Sequence, residues 1–250
     1  MTDIILCGCS GNMGKVISKI AKDFNVNIVC GIDVITENGF DYPIYDSYDK
    51  IKENPCCVVD FSHPKVFDKT ISYCEKNLIP CVLCTTGLSK EQIQKAHDLS
   101  KKVPVFYSAN MSLGVNLIIE LAKKATEILE DSFDIEILEK HHNQKLDSPS
   151  GTALMIADAI KETRKEETEY VYTRHDVRKK REKKEIGISA IRGGTIVGEH
   201  EIIFAGKDEI ITISHSARSK EVFAVGALKA SSFLKDKKPG LYNMSELIKN

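Results

Sequence analysis

The chain has 250 residues, 42% hydrophobic and 28% charged, and its 35 Lys and Arg against 36 Asp and Glu leave a formal net charge of -1. That length suits one large domain or two modest ones, each with its own core, and the charge balance excludes the global basicity of a nucleic-acid binder. No apolar run reaches the roughly 20 residues a membrane-crossing helix needs, and the opening MTDIILCGCSG carries no basic leader, so a cytoplasmic location is expected.

In chain order, residues 3–7 (DIILC) read as a strand and residues 15–24 as a helix with Val16, Ile17, Ile20 and Ala21 on one side. Strands follow at 27–32 (NIVCGI), 57–61 (CVVDF), 81–83 and 103–107 (VPVFY), with helices at 66–76, 90–101 and 115–129. Short apolar strands alternating with helices imply βαβ units and a doubly wound, mostly parallel sheet. The pattern then changes. A strand at 133–140 (FDIEILEK) and a helix at 152–162 precede period-two strands at 186–192, 199–205 and 209–214. Gly-Gly and Gly-Lys-Asp turns between these last three predict an antiparallel sheet. A helix at 222–234 and a loose tail close the chain. The fold class is therefore α/β, with a Rossmann-like domain plus a second α+β domain around a mixed or antiparallel sheet.

All eight cysteines (Cys7, Cys9, Cys30, Cys56, Cys57, Cys74, Cys81, Cys84) fall in the first 84 residues and read as small core-fillers of a reducing compartment. Cys81 and Cys84 have CxxC spacing, yet they sit in an apolar strand with no second pair, so no metal site is expected. The basic run at 174–184 (RHDVRKKREKK) reads as an exposed connection.

Two stretches carry chemistry. The first is the turn after the first strand, Gly8-Cys9-Ser10-Gly11-Asn12-Met13-Gly14. Glycines at a strand-to-helix junction let the backbone approach a pyrophosphate, which the helix N-terminus attracts. Asp33 ends the second strand about 20 residues on, where an acidic residue meets the ribose hydroxyls. Loops at Cys84-Thr85-Thr86-Gly87 and Ser108-Ala109-Asn110-Met111 end two further strands and complete a dinucleotide crevice. Asp33 would repel a 2′-phosphate and has no arginine beside it, so NADH is the expected cofactor. Lys15 leaves some tolerance for NADPH.

The second stretch is EKHHNQKLDSPSGTAL, residues 139–154. Adjacent strand residues point to opposite faces, so His141 and His142 are poorly placed to share one metal. Ser150 is a good N-cap, and Ser150, Gly151 and Thr152 then offer N–H groups and hydroxyls to a carboxylate. Lys145 supplies positive charge, and an imidazole that titrates near neutral pH can deliver a proton. An anion clamp and a histidine in a chain with a dinucleotide fold predict a reductase.

Together with Arg192-Gly193-Gly194-x-x-Val197-Gly198-Glu199-His200, these motifs make the sequence resemble the 4-hydroxy-tetrahydrodipicolinate reductase (dihydrodipicolinate reductase) family over essentially its full length. The resemblance implies a cofactor domain from residues 1–112 and 222–250 and a substrate and tetramerisation domain at 113–221. It implies NAD(P)H-dependent reduction of a cyclic dicarboxylate in lysine and diaminopimelate biosynthesis by a homotetramer. On that pattern His141 is the proton donor and acceptor, Lys145 its catalytic partner, and His142, Ser150, Gly151 and Thr152 the substrate seat. The family often has arginine after the acidic residue, where this chain has Val34, and after the Asp-Phe-Ser strand end, where it has His63. A semialdehyde dehydrogenase would need a nucleophilic cysteine in the second half, and none follows Cys84. A non-catalytic nicotinamide-binding protein would not need the imidazole and lysine.

Overall fold

The computed structural model describes residues 1–36, 39–175 and 177–249. It divides into two compact units, Met1–Leu113 with Glu221–Asn250, and Gly114–Lys220. The elements in chain order are β1 (Thr2–Cys7), α1 (Asn12–Ile20), β2 (Val26–Ile32), β3 (Ile44–Tyr45), β4 (Cys57–Asp60), α2 (Phe67–Asn77), β5 (Cys81–Leu83), α3 (Lys90–Ser100) and β6 (Pro104–Tyr107). They continue as α4 (Leu113–Leu129), β7 (Asp134–His141), α5 (Gly151–Thr163), β8 (Glu169–Val171), β9 (Glu185–Arg192), β10 (Gly198–Ala205) and β11 (Ile210–Ala217). The chain then forms α6 (Glu221–Leu234), β12 (Gly240–Tyr242) and α7 (Met244–Ile248).

The first unit is a parallel sheet in the order β12-β6-β5-β4-β1-β2-β3. Both faces are covered, which is why β1 is apolar at consecutive positions. Ile4 and Leu6 pack with Ile17 of α1 and with Ala224, Ala227 and Leu228 of α6. Ile5 and Cys7 face the other way, with Phe67 and Ile71 of α2 and Leu99 of α3. The strand order reverses between β1 and β4, and a doubly wound sheet binds its ligand at the carboxyl ends beside that switch point. The cysteines are free, and all but Cys56 and Cys84 are buried. Among the described residues no His, Cys, Asp and Glu cluster is arranged to hold a metal ion.

Two elements of this unit differ from the pattern. α1 stops at Ile20, and a 3-10 turn over Ala21–Phe24 follows, closed by Asn25 in the left-handed region. The expected loose tail is structured: β12 adds to the sheet edge parallel to β6, and a capping box at Asn243 and Glu246 starts α7. Gly240-Leu241-Tyr242 is too short to show a period.

The second unit is a mixed sheet in the order β11-β10-β7-β9-β8. β10 runs antiparallel to both β7 and β11, as the Gly206-Lys207-Asp208 turn predicts, but β9 is parallel to β7 and does not pair with β10. The Gly193-Gly194 turn is therefore no hairpin. It carries the chain across the end of β7, where Gly193 N–H donates to His141 O at 2.9 Å and Asn143 N–H to Gly194 O at 3.2 Å. Ile135 and Ile137 of β7, Ile186 and Ile188 of β9, and Ile202 and Phe204 of β10 share one core with Ile118 of α4 and Ile156 and Ile160 of α5.

The basic segment is less free than a solvated loop. Arg174 is paired with Glu185 at 2.5 Å and Glu136 at 2.9 Å, and Arg181 with Asp134 at 2.7 Å and Glu136 at 3.1 Å. The charge run is thus tied to the acidic ends of β7 and β9; Asp176 within it lies outside the described residues.

Candidate active site

In the first unit the glycine turn is dictated by close backbone contacts. Gly8 has φ +76°, and a Cβ there would lie 2.7 Å from Phe61 O. A Cβ on Gly14 would lie 2.3 Å from Gly8 O. No side chain caps α1 at Gly11, so the turn meets a ligand with main-chain groups and a helix N-terminus. Asp33 accepts from Ser10 N–H at 2.9 Å and Val34 N–H at 2.7 Å, fixing the turn against the end of β2. Gly8, Ser10, Gly11, Asp33, Val34 and His63 help line a cavity of about 1290 Å³. The residues present fit a dinucleotide: an unobstructed glycine cradle at the switch point, with a carboxylate at the neighbouring strand end.

The other strand-end loops are held from beneath. Asp60, fully buried at the end of β4, accepts from Thr85 Oγ1 at 3.0 Å and Ser62 N–H at 2.9 Å. Burial pushes its carboxyl up, against the opposing effect of those bonds. Ser108 Oγ donates to Asn110 O at 3.0 Å, shaping the loop after β6. Cys9 and Met111 turn their side chains into the core, so they present only backbone to a ligand. Asn12, Thr86 and Ala109 are exposed, and Met13 and Cys84 half-buried.

The second unit gathers ionisable side chains. Alternation along β7 puts Glu139 and His141 on the face that also carries Ile135 and Ile137. Glu139 is fully buried, and both its oxygens are engaged. Oε2 meets His141 Nδ1 at 2.7 Å and Arg192 Nη1 at 2.7 Å. Oε1 accepts from Arg192 Nη2 at 2.7 Å and Ser150 N–H at 2.9 Å. Burial alone would raise this carboxyl, but the bonds from Arg192, His141 and Ser150 outweigh it and hold the group below the usual range. His200 stands edge-on to His141, with ring centroids 5.3 Å apart and Nε2 3.2 Å from Ser150 Oγ. Burial first, then His141, pushes His200 down to about 4, so its ring is neutral.

Ser150 caps α5, its Oγ accepting from Ala153 N–H at 3.1 Å. Ser150 is buried, and its hydroxyl bonds to Ala153 and His200, so it shapes the helix start. Gly151 is exposed and Thr152 half-buried in the same first turn. β7 ends at His141, so the opposite-face argument does not reach His142, which is half-buried in a turn where Lys145 N–H donates to its carbonyl at 3.2 Å. Lys145 Nζ lies 2.8 Å from Asp147 Oδ1. The Lys145 bond, with a smaller contribution from Gly151 N–H, keeps the Asp147 carboxyl below its usual range. A carboxylate thus already pairs with the lysine in the loop that leads into the helix start.

The pattern reading missed Glu139, Arg192 and His200 as site residues. Glu139 was within reach, since it lies two positions before His141 and so shares its strand face. The Arg192 partnership spans 53 residues and comes from the β7–β9 pairing, which no local signal reveals.

A family model described as "Dihydrodipicolinate reductase, N-terminus" matches residues 2–111, and one described as "Dihydrodipicolinate reductase, C-terminus" matches residues 114–248. A 4-hydroxy-tetrahydrodipicolinate reductase of Clostridium novyi is 52% identical over 251 residues, covering 100% of this chain and 99% of the relative. One from Caldanaerobacter subterraneus is also 52% identical, over 252 residues, with 100% and 99% coverage. Among solved structures, a dipicolinate-bound dihydrodipicolinate reductase from Paenisporosarcina superposes with TM-score 0.83 at 23% identity, covering 97% of each chain. An amine dehydrogenase from Mycobacterium smegmatis gives 0.65 at 9% identity, over 97% of this chain and 95% of that one. Both structural likenesses speak to the fold.

Proposed function

The chain belongs to the dihydrodipicolinate reductase family, and on that premise we propose that it reduces 4-hydroxy-tetrahydrodipicolinate to tetrahydrodipicolinate with NAD(P)H in lysine biosynthesis. One observation in the geometry supports the residue roles: the Asp147 carboxylate pairs with Lys145 at 2.8 Å in the loop that enters α5, so the corner already accommodates a carboxylate. A substrate carboxylate replaces it there, held by Lys145, His142 and the Ser150-Gly151-Thr152 helix start. A buried carboxylate, Glu139, joins the same helix start to His141.

A dinucleotide, when bound, would supply the hydride. His141 holds the balancing proton at Nε2, since its Nδ1 faces Glu139. Lys145 offsets the charge of the substrate carboxylates. Gly8, Cys9, Ser10, Gly11, Asn12 and Met13 hold the dinucleotide pyrophosphate through main-chain groups, Asp33 its ribose, and Cys84, Thr85, Thr86, Ser108, Ala109, Asn110 and Met111 the remaining edge of the crevice. NADH is preferred, because Asp33 opposes a 2′-phosphate and exposed Val34 and Ile35 follow it. No metal takes part. A cytoplasmic homotetramer belongs to the same proposal, supported by Leu138, Ile191 and Ile203 alternating with the Lys140–Glu201 pair on the sheet face away from α5.

The test is an assay coupled to the synthase that makes the substrate, run with each cofactor. His141→Ala and Lys145→Ala are each expected to lower turnover about 10²- to 10⁴-fold, the range a positioned general acid contributes, with NADH affinity unchanged. Normal turnover in both variants would overturn the site, and a strong NADPH preference would overturn the argument from Asp33.

A further inference from the structure

We propose that Glu139, clamped by Arg192 and the Ser150 N–H, selects the tautomer of His141 and thereby makes Nε2 the nitrogen that exchanges a proton with substrate. The proposal rests on the reading of His141 as the acid–base residue and assigns Glu139 and Arg192 as positioning residues behind it.

The Glu139 carboxylate has no access to solvent and makes four contacts at 2.7 to 2.9 Å. Three of the partners can only donate: the two Arg192 nitrogens and the Ser150 amide. An ionised carboxylate can only accept, so the fourth contact requires the proton on His141 Nδ1 and leaves Nε2 bare in the neutral ring. Arg192 is itself fastened, donating to Asp147 O at 2.7 Å and Ile191 O at 2.8 Å. The clamp thus links the end of β9, the loop before α5 and the end of β7 on one carboxylate. Space at the other nitrogen is preserved: a Cβ on Gly198 would lie 3.1 Å from His141 Nε2. His200, edge-on to this ring, is neutral and does not compete with Glu139 for its proton.

A purely structural ion pair would make the same contacts, so the discriminating variant is Glu139→Gln. The amide oxygen must take the Oε1 place, where Ser150 N–H and Arg192 Nη2 both donate. The opposite orientation would leave an NH2 facing two donors. The NH2 therefore falls at the Oε2 place, where it faces one donor, Arg192 Nη1, in place of two, and donates to His141 Nδ1, which puts the proton on Nε2. An isosteric change is expected to reverse the tautomer. The native ring gives up its Nε2 proton from the doubly protonated state and returns to the Nδ1–H form. A ring whose Nδ1 accepts from the amide NH2 carries only the Nε2 proton and would have to lose it as an anion.

The experiment is ¹⁵N NMR on histidine-labelled full-length protein, with the His141 signals identified by their loss in His141→Ala, alongside steady-state kinetics. The native protein should show a protonated Nδ1 and a bare Nε2, and Glu139→Gln the reverse. Turnover should fall at least about 100-fold, with substrate KM and NADH affinity nearly unchanged. Arg192→Lys keeps the carboxylate and charge but loses the fork. It should retain the native tautomer with only a modest loss of turnover, and it serves if Glu139→Gln fails to fold. An unchanged tautomer or normal turnover in Glu139→Gln, or a reversed tautomer in Arg192→Lys, overturns the proposal. The NMR readout does not depend on turnover, so its failure is distinct from the failure of the acid–base reading, which His141→Ala decides.

Discussion

The two units build their proposed sites from different parts of the polypeptide. At the ends of β1, β5 and β6 the first unit offers main chain, and its side chains Cys9 and Met111 are spent on the core. At the end of β7 the second unit offers ionised side chains, each oriented by another: Glu139 by Arg192, His141 by Glu139, Lys145 by Asp147. A main-chain site depends on the absence of atoms and a side-chain site on their presence. Glycines should therefore be steric requirements in the first unit and access points in the second.

The largest expected effect is at Gly14. An alanine Cβ would press on Gly8 O and Cys9 O at 2.3 and 2.4 Å, so Gly14→Ala should cost about 3 kcal/mol or more and abolish NADH binding. Calorimetry and a fluorescence titration check both, and near-native stability would break the contrast. Next is His200, whose folded-state value of about 4 lies below the ordinary 6.5. The unfolded chain takes up this proton first as pH falls. The stability is fully present above about pH 6.5 and is lost, by roughly 3 kcal/mol, as pH drops towards 4. Urea unfolding at pH 7 and pH 5 should show a shallower loss for His200→Asn than for the native protein, and equal losses would refute the assignment.

Smaller still is Gly151→Ala, where nothing lies within 4 Å of the added Cβ. The melting temperature should hold or rise slightly, since alanine favours the helix, while substrate KM rises about tenfold, worth roughly 1.4 kcal/mol of seat. An unchanged KM would remove Gly151 from the seat. The smallest effect belongs to Glu201→Gln, which breaks the partly exposed Lys140 pair at 2.6 Å. Its melting curve should match the native one, in contrast to any loss of the buried Glu139 carboxylate.

Much of the architecture was legible in residue order. Ile4, Ile5 and Leu6 in succession announce a strand buried on both faces, and Gly8 to Gly14 a turn that a side chain would obstruct. The alternation of Ile135, Ile137, Glu139 and His141 was equally plain, though it takes the structure to show that the apolar face continues into an ionised one. Pairing was not legible. Gly193-Gly194 has the composition of a hairpin, and only the insertion of β7 between β9 and β10 makes it a crossover. The same insertion brings Arg192 to Glu139, so the missed strand order and the missed site residue share one cause. Ser150 was legible as the cap of α5, while its contact with His200 spans 50 residues and was not.

Helix α6 has a consequence for how the molecule comes into being. Its Ala224, Ala227, Leu228 and Leu234 complete the core beside Ile4 and Leu6, and Gly226 lets it lie directly on the Met111 carbonyl, where a Cβ would sit 1.7 Å away. A ribosome delivers the first strand more than two hundred residues before its covering helix. The later-begun unit, contiguous from Gly114 to Lys220, can therefore finish folding while the earlier-begun one still waits with an open apolar face. Birth order and completion order are reversed, and the nascent dinucleotide unit is the part most in need of protection from premature partners.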